Sequence, residues 1–221
     1  MEISRILQIQ KGITAIIGGG GKTTLMLTLA QALSRQGRVI VTTSTRIFPP
    51  EGIPVVFDRQ EAEEAFRRDA VVCLASPTEG RKLASPQGGF EALLTLADYV
   101  LVEADGSKGL PLKAHAAHEP VIPAGSNQVI CVVGADGFGK PVAQVCHRPE
   151  LYAALIGGSP QTVVTPELAA EAIQKEGFAA RIYINKTESA ADWDNAARFA
   201  AAASCPVAAG SLWKGEYQCL S

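Results

Sequence analysis

Along this chain, short apolar runs alternate with segments of helical period. Gly12 to Ile17 reads as a buried strand. Lys22 to Gln36 reads as a helix, with Leu25, Leu29 and Leu33 on one face and Gly37 placed to stop it. Arg38 to Thr43 and Val55 to Phe57 read as strands. Asp58 with Glu61 is an Asp-started variant of a capping box for a helix to about Arg68. Ala70 to Leu74 follows as a strand and Phe90 to Ala97 as a short helix. Tyr99 to Val102 and Val129 to Val133 are apolar enough to be buried on both faces. Thr165 is an N-cap with Pro166 at the first helical position, opening a helix to about Lys175. Arg181 to Ile184 is a strand, Ser189 to Ala203 an alanine-rich helix and Pro206 to Ala208 a last short strand.

This alternation predicts an α/β fold, a mainly parallel sheet with helices on both faces, in three layers. No repeat and no polar linker divides the chain, so residues 1–221 are expected to form a single domain. Three long connections, 76–89, 106–127 and 134–149, are rich in Gly and Pro; loops of that length are usually functional or disordered, and these are expected to be functional.

Composition narrows the choice. Apolar residues are 47% and charged residues 19%, enough to bury a sizeable core. A net charge of −2 argues against a phosphate-backbone binder, and 6% aromatics against base-stacking platforms. The expectation is therefore no nucleic-acid partner. The start does not read as a signal peptide, and no run reaches the roughly 18 apolar residues of a membrane span. Five cysteines with no Cys-x-x-Cys pair point to a reducing cytoplasm.

The sharpest motif is Gly18-Gly-Gly-Gly21-Lys22-Thr23-Thr24, entered by a strand and left by a helix. Glycines let backbone N–H groups converge on an anion, and the helix adds its dipole. Lys22, at the solvent-facing mouth, would reach the β- and γ-phosphates. Thr23 would ligate Mg²⁺, and Thr24 could hold the α-phosphate. Ile16 stands where Gly-x-x-x-x-Gly-Lys-Thr has its first glycine, so the loop is about two residues short. In this it resembles the compact loop of Mur-type ATP-dependent ligases. Glycines 18 to 21 also suit a plain strand-to-helix turn, but Lys-Thr-Thr lies where phosphate chemistry needs it.

A second apolar strand ends in Glu103-Ala-Asp105-Gly106. Carboxylates there could complete the Mg²⁺ shell opposite Thr23. Glu103-x-x-Gly106 also has the spacing of the GTPase switch, in which the glycine N–H meets the γ-phosphate, although those proteins carry Asp in place of Glu. The plainer reading is a strand end with solvated acids.

Asn185-Lys186-Thr187-Glu188 closes a late strand and resembles the Asn-Lys-x-Asp of GTPases, in which the acid pairs with two donors on guanine. A polar turn is the competing reading. GTP is thus slightly favoured over ATP. Thr42 to Arg46 could line a phosphate or an acceptor, or merely cap a strand end. His115 and His118 are flanked by prolines, which disfavours a metal pair on one helix face. Cys146 and His147, as strand neighbours, point apart and favour a packed thiol. Trp193, Trp213 and Phe199 are expected to pack the late helices.

Taken together, Gly18 to Thr24, Val41 to Arg46, Val102 to Lys113, His118 to Pro123, Val133 to Gly137 and Cys146 to Glu150 resemble the YqeC family, accessory proteins of selenium-dependent molybdenum hydroxylases. The resemblance runs from about residue 8 to 213. It implies a P-loop NTPase-like fold, nucleotide binding and a part in supplying a selenium cofactor, with the hydroxylase or its maturation proteins as partners. It carries Lys22, Thr23, Glu103 and Asp105 over as nucleotide and Mg²⁺ residues, with Lys108 and Lys113 as candidates for a second substrate. The expected function is a Mg²⁺-dependent nucleoside triphosphatase. The alternatives are an ATP-dependent kinase or ligase acting on a small acceptor, and a nucleotide-gated chaperone without catalysis.

Overall fold

The computed structural model describes residues 2–221. Its strands are β1 (Gly12–Gly18), β2 (Val39–Thr43), β3 (Arg46–Ile47), β4 (Val55–Val56), β5 (Val71–Leu74), β6 (Leu83–Ala84), β7 (Tyr99–Glu103), β8 (Leu112–Lys113), β9 (Ser126–Gly134), β10 (Cys146–His147), β11 (Arg181–Asn185), β12 (Val207–Ser211) and β13 (Glu216–Cys219). The helices are α1 (Ile3–Ile6), α2 (Lys22–Leu33), α3 (Arg59–Ala65), α4 (Val142–Val145), α5 (Pro149–Leu155), α6 (Pro166–Glu176) and α7 (Ala190–Ala202).

Nine strands form one sheet in the order β13-β12-β11-β9-β1-β7-β2-β5-β4. Every pairing in it is parallel except β12 with β13. The two-residue strands β3 and β6 pair with each other, as do β8 and β10. Alternation along β1 divides the core. Ile16 joins Leu101, Val132 and Tyr183 on the face covered by α1 and α2, against Leu25, Met26 and Leu29. Ala15 and Ile17 join Val133 and Ile184 beneath α4 to α7, where Phe199 is buried. Ile13 packs with Ile40 and Val100 beneath α3 and the 3₁₀ turn at Glu91–Thr95. The result is the three-layer α/β fold, a mainly parallel sheet with helices on both faces, that the alternation predicts. The carboxyl ends of β1, β2, β7, β9 and β11 share one edge, where ligands bind in such sheets.

Several boundaries differ from the sequence expectation. Helix α2 stops at Leu33, and the Gln36 N–H turns back to the Leu33 carbonyl at 2.8 Å. Gly37 lets Asp98 approach the chain, since a Cβ there would lie 2.4 Å from Asp98 Oδ2 and the carboxylate would have to shift. Helix α3 ends at Ala65; Asp58 caps it through the Glu61 N–H at 2.8 Å, while Glu61 takes the N–H of Phe57. The expected helix at 90–97 is a 3₁₀ turn. Helices α1, α4 and α5 and the antiparallel strand β13 were not foreseen. The long connections hold short elements: β6 in the first, β8 in the second, and α4 and β10 in the third.

Candidate functional site

Strand β1 delivers its last residue, Gly18, to the sheet edge, and α2 begins four residues later with Gly21 as N-cap at φ 117° and no side chain capping it. Neighbouring backbone dictates the glycines. A Cβ on Gly18 would lie 2.4 Å from the Val132 carbonyl oxygen, and one on Gly20 2.3 Å from the Gly134 nitrogen. The Gly18 N–H donates to Asp105 Oδ2 at 2.8 Å, Gly19 to Val132 O at 2.9 Å and Gly20 to Leu110 O at 3.1 Å. These three N–H groups brace the loop. The N–H groups of the first turn of α2 have no intrahelical partner and sit at its positive end, where an anion is favoured.

Lys22 is not at a solvent-facing mouth; it is buried. Its Nζ donates to Gly18 O at 2.8 Å and Ser107 Oγ at 3.2 Å, and lies 3.0 Å from Asp105 Oδ1. That last contact is an ion pair without hydrogen-bond alignment, for Asp105 Oδ1 has no hydrogen-bond donor.

Glu103 and Asp105 stand two residues apart and meet opposite surroundings. Glu103 accepts from the Thr23 hydroxyl at 2.6 Å and lines an open cleft. Burial pushes its carboxyl up, and the charge of Lys22 and the bond from Thr23 only partly offset this. For Asp105 burial also acts upward, but His115, Lys22, Lys113 and the Gly18 N–H outweigh it and hold the carboxyl at about 2. Its neighbours are donors and cations, so it positions Lys22 and Lys113.

From Asp105 a buried chain of charges runs outward. Lys113 lies 3.5 Å from Asp105 Oδ2 and 3.0 Å from Glu119 Oε2, and it donates to Gly106 O at 2.6 Å. Arg148 completes that branch at 2.9 Å from Glu119. On the other branch, His115 places Nε2 2.6 Å from Asp105 and Nδ1 2.8 Å from Glu176. Burial works against its charge, yet the two carboxylates prevail and its pKa is raised. Among the described residues no group of three His, Cys, Asp or Glu side chains is placed to hold a metal. Cys146 is a packed thiol, pushed by burial to about 12.

The cleft beside Thr23 and Glu103 has a volume of about 600 Å³ and is lined also by Thr24, Arg46, Phe48, Lys82, Gly106 and Lys108. The hydroxyls of Thr42 and Thr43 are turned inward, bonded to Leu74 O at 2.6 Å and Glu103 O at 2.8 Å. They therefore tie the end of β2 to those of β5 and β7.

On the far side of the loop, Asn185 donates to Gly20 O at 2.7 Å and accepts from the Leu212 N–H at 3.2 Å. Lys186, at φ 63°, pairs with Asp136 at 2.7 Å. Glu188 accepts from Ser211 Oγ at 2.7 Å and is exposed. The structure thus brings the residues of the first two motifs together at one edge and the third to the same edge across β9. Trp213 does not pack the late helices: it stands 92% exposed in the turn after β12, whereas Phe199 is buried and Trp193 half-buried.

The YqeC protein family model matches residues 14–150. The chain belongs to the YqeC family. It is 35% identical over 162 residues to the YqeC protein of Escherichia coli (strain K12), covering 69% of this chain. The chain spans 63% of the length of that relative. Among solved structures it is similar to the signal recognition particle 54 kDa protein of Aeropyrum pernix K1 in complex with GDP. The TM-score is 0.42 at 17% identity, over 96% of this chain and 44% of that one. The family match spans the phosphate loop, both acids and the Lys113–His115–Glu119 segment. Asn185 to Glu188 and Glu176 lie beyond it. Glu176, Ser107 and Lys82 were missed by sequence reasoning, because no local spacing ties them to the loop.

Proposed function

We propose that this chain is a Mg²⁺-dependent nucleoside triphosphate-binding protein that hydrolyses its nucleotide, GTP in slight preference to ATP. Its role is that of an accessory factor in selenium cofactor supply or in maturation of a molybdenum hydroxylase. The observation that carries the nucleotide reading is the Thr23 hydroxyl 2.6 Å from Glu103 at the uncapped head of α2, beside Lys22. The selenium part rests on the family.

The donor set fits Mg²⁺. Thr23 and Glu103 offer adjacent hard oxygens, and a hydroxyl that donates to a carboxylate keeps a lone pair for a cation. Bound there, Mg²⁺ would neutralise phosphate charge. The chain's own residues do the rest. The first-turn N–H groups of α2 orient the phosphates, and Lys22 adds charge while Asp105 fixes its position. Glu188 offers its second carboxylate oxygen to guanine, the first being held by Ser211.

A kinase or ligase acting on a small acceptor is the second reading, favoured by the room in the 600 Å³ cleft beyond Thr23. Competition of GTP, ATP and xanthosine triphosphate against a labelled analogue, with Mg²⁺, separates the two. Wild type should prefer GTP. Glu188→Gln should weaken GTP by about 1–3 kcal/mol, since an NH₂ donor then faces a guanine donor, and should spare xanthosine triphosphate. A wild-type preference for ATP would put the kinase or ligase first.

A further inference from the structure

The wall of the cleft opposite α2 is basic beyond what a triphosphate on the loop requires. Arg46, Lys82 and Lys108 come from three separate segments and all line it. Arg81 joins Arg46 and Lys82 in an adjoining hollow. Among the described residues none of these four makes an ion pair. Among the described residues the acids lining the cleft are Glu51 and Glu103, and Glu79 lines the adjoining hollow.

The arrangement is built. Strands β3 and β6 pair Arg46 with Ala84 and Ile47 with Leu83, so Arg46 and Lys82 are held on one two-stranded flap. Lys82 lies 4.9 Å from the centre of the exposed Phe48 ring, and the Thr78 hydroxyl ties down the Lys82 carbonyl at 2.5 Å. Lys108 approaches from the other side at φ 51°, a backbone state that glycine adopts at lower cost. The sheet order also separates this wall from Asn185 and Glu188. It stands over β7, β2 and β5, whereas β11 lies two strands away from β1 on the opposite side. Clustered unpaired cations in a partly enclosed cleft favour a compact anion.

We propose that Arg46, Lys82 and Lys108 form a subsite for a second anionic ligand, a small phosphate-bearing molecule, bound beside the nucleotide's terminal phosphate. The proposal rests on the nucleotide reading for what lies next to the subsite, though the subsite itself stands on these three cations.

Isothermal titration with inorganic phosphate as probe tests it, on protein first saturated with a non-hydrolysable triphosphate and Mg²⁺. Wild type should bind one further phosphate. Arg46→Gln/Lys82→Gln should weaken that phosphate at least tenfold, with nucleotide affinity changed less than threefold. Lys108→Gly should also lose the phosphate while keeping or gaining thermal stability, which rules out misfolding as the cause. Absence of the second phosphate from wild type, or an equal fall in nucleotide affinity in the double variant, overturns the subsite. Should wild type bind no nucleotide yet still bind phosphate in a manner dependent on Arg46 and Lys82, the nucleotide reading fails and the subsite survives.

Discussion

The two sides of the phosphate loop treat polar residues in opposite ways. Toward β9 and β11, polar groups close on one another: Asn185 spans Gly20 O and the Leu212 N–H, and Lys186 is tied to Asp136. Toward β7 and β2, a cleft opens that Glu103 and Thr23 line, and among the described residues its cations Arg46, Lys82 and Lys108 make no ion pair. The buried Lys22–Asp105 pair lies between these two sides. One side therefore fixes where the loop sits, and the other leaves Thr23 and Glu103 at the wall of an open cleft. Substitutions on the bracing side should cost stability, and those on the open side should cost ligand.

The largest effect is expected at the junction. Asp105→Ala leaves Lys22, Lys113 and His115 without their shared carboxylate in a buried setting. Removing one partner of a buried ion pair costs about 3–5 kcal/mol. Urea unfolding should show that loss in the midpoint. A loss below about 1 kcal/mol would mean that the network contributes specificity and little stability.

Asn185→Ala comes next. It strands the Gly20 carbonyl and the Leu212 N–H, at about 1–3 kcal/mol. Unchanged stability with lost nucleotide affinity would move Asn185 from the bracing side to the ligand side.

Acid and alkali divide the same network more gently. The folded value of Asp105, about 2, lies below its ordinary 3.8. Its contribution, about 2 kcal/mol, is therefore full above the unfolded value and fades as pH falls through the folded one. His115 has the opposite sign. Its folded pKa lies above 6.5, so its contribution is full below that and is lost as pH rises through the raised value. Thermal melts from pH 2 to pH 9 should show both slopes, and His115→Gln should remove the alkaline one and weaken the acid one, since His115 helps hold Asp105 low. An unchanged alkaline slope in that variant would assign it to another group.

Much of the bracing framework was legible because it is local. Apolar runs gave the parallel strands, and Thr165 with Pro166 gave the start of α6. The alanine-rich run from Ser189 gave α7, whose start is closed by a capping box with Asp192. Strand β13 escaped because Glu216 to Cys219 is only four residues long and is a largely exposed edge, with Tyr217 alone half-buried. Trp213 was misplaced because aromatic size suggests a core position, whereas its turn carries it outward. On the open side, Lys22, Thr23 and Glu103 were legible from motif spacing. The burial of Lys22 was not, because it depends on Asp105, 83 positions away, being enclosed by Lys113 and His115. Sequence spacing carries no signal for such long-range enclosure.

The central claim is that Thr23 and Glu103, at the head of α2, hold nucleotide together with Mg²⁺. Its most direct test is the affinity for GTP by titration calorimetry, with and without Mg²⁺, in wild type and Glu103→Gln. Burial already disfavours the ionised carboxylate, so the variant should fold at least as well as wild type at neutral pH. Mg²⁺ should tighten GTP binding to wild type at least tenfold and leave the variant unimproved. Equal Mg²⁺ enhancement in both proteins, or no GTP binding to wild type, would contradict the account.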